Sequence, residues 1–439
     1  MVCQKQPHRA WLLYISHLHQ KTGGHLDFAR LTLKDWQQFA EVDINFHPRA
    51  TILTGANGSG KTTILSLLAR HRGWQQYSLA TPKNDLISKS LRYFSLARLF
   101  GKDANGDRSI GTLTYTDNKS ANLSAPEAGA AQYQVQIHNQ QTARCFYIPS
   151  HRQTFSYRRV GQINTTRKER QAAFDEIQNN HINRHAGGGV EPSSFLMKGT
   201  LLGWMINGYG VRSESKTIMP ADPQQIRNFE GFRDVLRCVL PSSLGFEDLE
   251  VRDYEIVFCC NGGADEFLLE TASGGISALI DIAWQVYMFD TDAKEPFAVV
   301  IDEVENHLHP SMQRTLLPDL LAAFPHAKFI VTTHSPLIVT SVEEANVYAL
   351  RYDDSKKVRS HLLDFRSEVK NAVDVLDEVL GVSTTIPAWA VGKLSAILEK
   401  HAATDPTAES LASLRAELGN AGLSRLFPEA VTRIAEGHK

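Results

Sequence analysis

The chain has 439 residues, 42% hydrophobic and 21% charged, with a formal net charge of −2. That length and apolar content suit one large α/β domain with a smaller inserted or appended one, and the near-neutral charge excludes nucleic-acid binding through the overall field, leaving only a local patch. No apolar run reaches the roughly 18 residues a membrane span needs, and the opening stretch MVCQKQPHRAWLLYISHLHQ lacks the apolar core of a secretory signal.

In chain order, residues 1–150 read as a first lobe. Leu31, Leu33, Val42, Ile44 and Phe46 alternate with polar residues, and Thr51–Thr54 is a buried run, so strands fill 26–54. A helix is expected from Thr62 to Arg70, then an antiparallel meander over 110–148 with turns at Asp117-Asn118 and His138-Asn139. Residues 151–245 lose clear periodicity around a Gly187-Gly188-Gly189 break and read as an inserted helical arm. In 246–363 a hairpin through YEIVFCC and EFLLE turns at Asn261-Gly262-Gly263. It is followed by a helix from Gly275 to Phe289, a strand Phe297–Ile301, a helix from Ser311 to Phe324 that Pro318 should kink, and a strand Lys328–Thr332. Residues 364–439 read as a helical partner or oligomerisation region. Leu376, Val379, Leu380, Leu394 and Leu398 fall there at helical spacing, which ordinary packing also explains. The five cysteines (Cys3, Cys145, Cys238, Cys259, Cys260) form no C-x-x-C pair, as expected of a reduced cytoplasmic protein.

GANGSGKT at Gly55–Thr62 fits G-x-x-x-x-G-K-T, after a buried strand and opening a helix. Its glycines, with Asn57, Ser59 and the following Thr63, let backbone N–H groups converge on phosphate oxygens at a positive helix end. Lys61 would reach the β- and γ-phosphates of ATP and Thr62 would ligate Mg²⁺. FAVVIDEVENHLHP delivers Asp302 and Glu303 at the carboxyl end of a buried strand, where open α/β sheets bind ligands. Asp302 suits the Mg²⁺ and Glu303 the attacking water. FIVTTHSP carries His334, a candidate contact for the γ-phosphate or the attacking water. TASGGIS places Ser273, Gly274 and Gly275 before a helix, where Ser273 would cap it and the glycines offer N–H groups to an anion.

Phosphate loop, S-G-G, Asp-Glu and His, in that order, resemble the ABC ATPase superfamily. I-D-E-V-E-N-H-L-H-P with V-T-T-H-S-P is similar, more narrowly, to overcoming-lysogenization-defect (OLD) ATPases and their AAA15/AAA21-like relatives, including ATPase subunits of Septu-type and retron-associated anti-phage systems. The resemblance covers about residues 26–350 and implies an α/β P-loop fold of the ABC-head kind, a mixed sheet core with an antiparallel β subdomain. It implies two copies sandwiching ATP head to tail, with Ser273, Gly274 and Gly275 acting in trans and Glu305 to His309 at the dimer seam. Tyr147–Gln153 resembles the Q-loop, with Gln153 as the Mg²⁺-side or water-side residue and His151 or Arg152 as alternatives. The usual Gln or Glu after the signature glycines is Ile276 here. The segment between Lys61 and Ser273 lacks heptads, which excludes long coiled-coil arms. The tail carries no D-x-D of a TOPRIM nuclease, so a separate nuclease effector is expected.

The stretch His151–Gln171 interleaves Arg152, Arg158, Arg159, Arg167, Lys168 and Arg170 with Phe155 and Tyr157. It is a DNA or RNA contact, a solvated helical face or a surface that docks an acidic partner. His181 and His185 form H-x-x-x-H without a third ligand and read as surface histidines. The expectation is a cytoplasmic, ATP-hydrolysing homodimer or higher oligomer that governs an anti-phage nuclease. A DNA-repair clamp, a transporter's nucleotide-binding subunit and a non-hydrolysing scaffold remain open.

Overall fold

The computed structural model describes residues 27–79, 82–84, 91–93, 107–126, 132–163, 166–291, 295–364, 388–401, 407–428, 430–431 and 434. Its contacts separate two compact units, Met1–Val375 and Leu376–Lys439. Cys3 and the helical-spacing positions Leu376, Val379 and Leu380 lie outside the described residues.

The first unit opens with β1 (Phe28–Trp36), β2 (Phe39–Asn45) and β3 (Ala50–Gly55), followed by α1 (Lys61–Ala69). Next come β4 (Asp107–Tyr115), β5 (Ser120–Pro126), β6 (Gln136–His138) and β7 (Cys145–Ile148). Three helices follow, α2 (Arg170–His185), α3 (Ser193–Tyr209) and α4 (Pro223–Val239), then a separate three-stranded sheet of β8 (Phe246–Arg252), β9 (Glu255–Cys260) and β10 (Asp265–Leu268). The unit continues with α5 (Gly274–Phe289), β11 (Phe297–Ile301), α6 (Pro310–Ala323), β12 (Ala327–Thr333), β13 (Asn346–Tyr352) and β14 (Val358–Leu363). The large sheet runs in the order β6-β5-β4-β1-β2-β14-β13-β3-β12-β11-β7.

The two halves of this sheet differ because their sequences do. Every residue of β3, β7, β11 and β12 is buried, as continuous apolar runs in a doubly covered parallel block must be. β1 and β2 alternate between buried and open positions and pair antiparallel, Leu31 opposite Ile44 and Leu33 opposite Val42. β7 corrects the expected meander. It pairs parallel with β11, Cys145 beside Ala298 and Ile148 beside Ile301, because its four buried residues show no alternation. This register carries the chain after Ile148 to the end of the β11 strand.

The helices of 151–245 pack on the body instead of standing clear of it. From Ile276 to Phe289 every residue of α5 is buried, and a helix apolar on all sides needs cover all round. The cover is aromatic: Trp204 of α3 and Phe232 of α4 meet Trp284, at 5.6 and 4.7 Å between ring centroids, and Phe174 of α2 meets Phe289 at 4.7 Å. α6 remains helical across Pro318.

The second unit packs α7 (Ala388–His401) and α8 (Ala408–Asn420) around Leu394, Ile397, Leu414, Leu418 and Leu423, with Thr407 and Ser410 forming a capping box at the start of α8. Among the described residues, no helix is long and apolar enough to cross a membrane.

Candidate active site

The phosphate loop follows from the end of β3. Gly55 at φ 147° would place a Cβ 2.5 Å from the Leu350 oxygen, and Gly60 at φ 94° would place one 2.3 Å from Cζ of Phe39. Only glycine allows the backbone to turn this closely at either point. Ala56, Asn57 and Gly58 are exposed at the crest, and Ser59 is buried with its hydroxyl unpaired by protein atoms. Lys61 opens α1 and curls over the loop, its Nζ donating to the oxygens of Gly55 (3.0 Å) and Ala56 (3.1 Å). Burial lowers its pKa to about 8, against the opposing charges of Glu303, Asp302 and Glu305. Thr63, one residue past Thr62, lines a cavity of about 520 Å³ with Gln37, Gln38, Thr62, Ser66 and Tyr77.

β11 and β12 bring the acids to this loop. Asp302 is 1% exposed; Thr62 Oγ1 donates to its Oδ2 at 2.9 Å and Thr332 Oγ1 to its Oδ1 at 2.6 Å. Burial raises the Asp302 pKa, and these two hydroxyls oppose the shift. Thr332 Oγ1 also accepts the Glu303 N–H at 2.7 Å, so one hydroxyl orients both acids. The chain then turns sharply, with Glu303 at φ 44° and His307 at φ 71°, both in the left-handed region. Asn306 Nδ2 donates to Glu303 Oε2 at 2.8 Å and to the Ser150 oxygen at 3.2 Å. Glu305 Oε1 accepts the backbone N–H of His334 at 2.6 Å. The His334 imidazole is held below its usual pKa by desolvation and by the nearby Lys61 charge.

Lys61, Thr62, Asp302, Glu303 and His334 thus meet at one place. Thr62 and Asp302 offer hard oxygen donors 2.9 Å apart, a fit for Mg²⁺. Ser273 and Gly274 are exposed at the start of α5, on a separate element. Ser273 occupies the N-cap position, but its side chain makes no cap bond; its carbonyl accepts the Ser277 N–H at 2.8 Å. Gly275 lies against the turn after Glu303, where a Cβ would sit 3.1 Å from the His307 oxygen. Ile276 is buried.

Several sequence expectations land elsewhere. Gln153 Oε1 accepts the Ser193 N–H at 2.8 Å, at the start of α3, whereas its neighbour Arg152 turns inward to the oxygens of Glu303 and Asn306. Among the described residues the basic stretch is not a helical face before Arg170, and its cations are largely engaged within the chain. Arg158 pairs with Glu191, Lys168 with Glu176, and Arg167 with Asp222 at 3.1 Å, while Arg170 lies over the Tyr287 ring. His181 is no surface histidine: it continues the buried stripe Ala173, Phe174, Ile177, Gln178 of α2, and burial lowers its pKa to about 4. Thr332 was not singled out from the sequence, and Glu305 and Asn306, expected at a dimer seam, bond His334 and Glu303 within the chain. The polar Thr332-Thr333 pair at the end of an apolar strand was the available signal.

A phosphate loop at the carboxyl end of a parallel strand, beside a second strand ending in a hydroxyl-bound aspartate and a glutamate, defines a P-loop ATPase. The family profile described as "AAA domain, putative AbiEii toxin, Type IV TA system" matches residues 92–340, more than half of the chain, and the chain belongs to that family. The profile for the P-loop containing region of AAA domains matches residues 28–80. The "Retron Ec83 probable ATPase" of Escherichia coli is 34% identical over 80 residues, 17% of this chain and 15% of that protein's length. The "Septu protein PtuA" of Bacillus thuringiensis is 22% identical over 362 residues, 78% of this chain and 81% of that one. Among solved structures, the SMC head domain from Thermotoga maritima matches with a TM-score of 0.40 at 16% identity, over 77% of this chain and 99% of that one.

Proposed function

We propose that this ATPase works as an ATP-sandwiched homodimer that senses and regulates within an anti-phage defence complex, controlling a separate effector nuclease. The observation that carries the chemistry is the 2.9 Å contact between Thr62 and Asp302, which joins the phosphate loop to the acid strand. The retron and Septu names of its relatives support the defence setting.

Lys61 leaves the loop carbonyls to neutralise the β- and γ-phosphates, and Thr62 with Asp302 would hold Mg²⁺, which offsets charge on the transferring phosphoryl group when bound. Glu303 takes the proton of the attacking water, oriented by Asn306, and His334 contacts the γ-phosphate. The cavity beside α1 takes the base and ribose, its amides offering both donors and acceptors. Ser273, Gly274 and Gly275 reach the γ-phosphate of the facing copy; the exposure of Ser273 and Gly274 supports that role. Hydrolysis reopens the pair, which a bound nuclease reads as a change of state.

Glu303→Gln tests this reading. ATP turnover should fall to background while light scattering with ATP reports dimers that persist. Normal turnover would remove Glu303 from the chemistry, and a mass unchanged by ATP in both proteins would remove the sandwich. Cells carrying the chain with its genomic neighbours should lose phage resistance on the same substitution.

A further inference from the structure

Arg152 is 7% exposed, yet it carries a cation into the interior behind the acid strand. Its Nη2 donates to the Glu303 oxygen at 3.1 Å and its Nη1 to the Asn306 oxygen at 3.2 Å. One guanidinium therefore spans the turn whose first residue, Glu303, has φ 44°. A side chain other than glycine holds that conformation only where its surroundings over-determine it, and the planar fork of an arginine is suited to fixing two carbonyls at once.

Behind Arg152 lies a second buried charge, Asp281 of α5, 2% exposed. Gln285 Nε2 donates to Asp281 Oδ2 at 2.8 Å, and Gln178 Nε2, from α2, donates to Gln285 Oε1 at 3.1 Å. Gln285 is 0% and Gln178 5% exposed. Burial raises the Asp281 pKa to about 6, and the Arg152 charge is the first influence opposing it. Arg152 Nε and Asp281 Oδ1 are both buried without a protein hydrogen-bond partner. Gln178, Gln285 and Asp281 thus form a hydrogen-bonded polar chain between α2 and α5 in an otherwise apolar layer. Polar groups in such a setting are costly unless each fixes the next.

We propose that Arg152 is a positioning residue that sets the Glu303–Asn306 turn for hydrolysis. The inference rests on Glu303 acting on the attacking water. Arg152 touches only backbone oxygens, so it governs the hydrolytic step and leaves nucleotide affinity nearly unchanged.

The test is steady-state ATP hydrolysis of the full chain beside equilibrium binding of a fluorescent ATP analogue, for wild type, Arg152→Met, Arg152→Lys and Glu303→Gln. Arg152→Met should lower kcat about tenfold or more, the scale of lost outer-shell support, with analogue affinity within about threefold. An unchanged kcat in Arg152→Met, or a loss confined to affinity, overturns the positioning role. Should Arg152→Met not fold, Arg152→Lys, which keeps the charge but loses the fork, reads the same division between kcat and affinity. Full turnover by Glu303→Gln would instead sink the underlying reading, so the two failures are distinguishable.

Discussion

Replacing Thr332 with valine isolates one hydroxyl that organises the acids. The two side chains have nearly the same shape, and valine suits a buried strand, so β12 should keep its place between β3 and β11. What changes is hydrogen bonding. Asp302 Oδ1 loses a donor at 2.6 Å and the Glu303 N–H loses its acceptor at 2.7 Å, at a residue 0% exposed. The stranded Glu303 N–H costs about 1–3 kcal/mol. Asp302 Oδ1, which keeps a longer bond from Thr62 at 3.2 Å, costs about 1 kcal/mol more, so the variant should lose roughly 2–4 kcal/mol of stability. Activity should fall further than stability suggests, by about 10–100-fold, since outer-shell partners of a metal-site carboxylate have effects of that size. Thermal unfolding and ATP hydrolysis measure the two losses. Thr332→Ser keeps the hydroxyl and should recover most of the activity while giving up a methyl group. A Thr332→Val protein that hydrolyses ATP at the wild-type rate would refute the assignment of this hydroxyl, and with it the rigid placement of Glu303.

Lys61→Met should abolish nucleotide binding while raising the unfolding temperature at pH 7. The lysine pKa falls from 10.5 to about 8 on burial, a penalty on its charged form of at most about 3 kcal/mol. Between those values the unfolded chain binds the extra proton, so wild-type stability rises with pH there and the variant's advantage shrinks; an advantage that grows instead would contradict this. Acid acts through His71 and His181, both lowered to about 4 by burial. Each stays neutral in the folded chain while the unfolded chain protonates from about pH 6.5 downward, so each should cost about 2 kcal/mol by pH 5. Unfolding midpoints at pH 7 and 5 for His181→Phe should show a smaller drop than wild type, and an equal drop would place His181 in a more hydrated setting.

The parts legible in the sequence were those whose signal is contiguous. Gly55–Thr62 carries its own turn chemistry, and Phe297–Ile301 is an unbroken apolar run ending in two acids, so strand, loop and helix were placed within a residue or so. Parts defined by contact across the sheet were not. Thr332 matters because β11 and β12 align Ile301 with Val331, bringing the next residue on β12 beside Asp302. Cys145–Ile148 follows a meander in the chain but pairs with Ala298–Ile301, far downstream. The packing of the 151–245 helices had a signal in the all-round apolar character of α5. His181 was misjudged because a polar residue at one position of a helix does not say which way that stripe faces.

The position of β3 within its sheet also fixes when the enzyme can exist. Both neighbours of β3 come from later chain, Ala327–Thr333 on one side and Asn346–Tyr352 on the other. At about 5–20 residues per second, a ribosome needs roughly 15–50 s after making the glycine loop before the first of these emerges. Throughout that interval the nascent polypeptide holds a phosphate-binding sequence without a sheet to brace it. Newly made chains therefore become competent for nucleotide late and all at once.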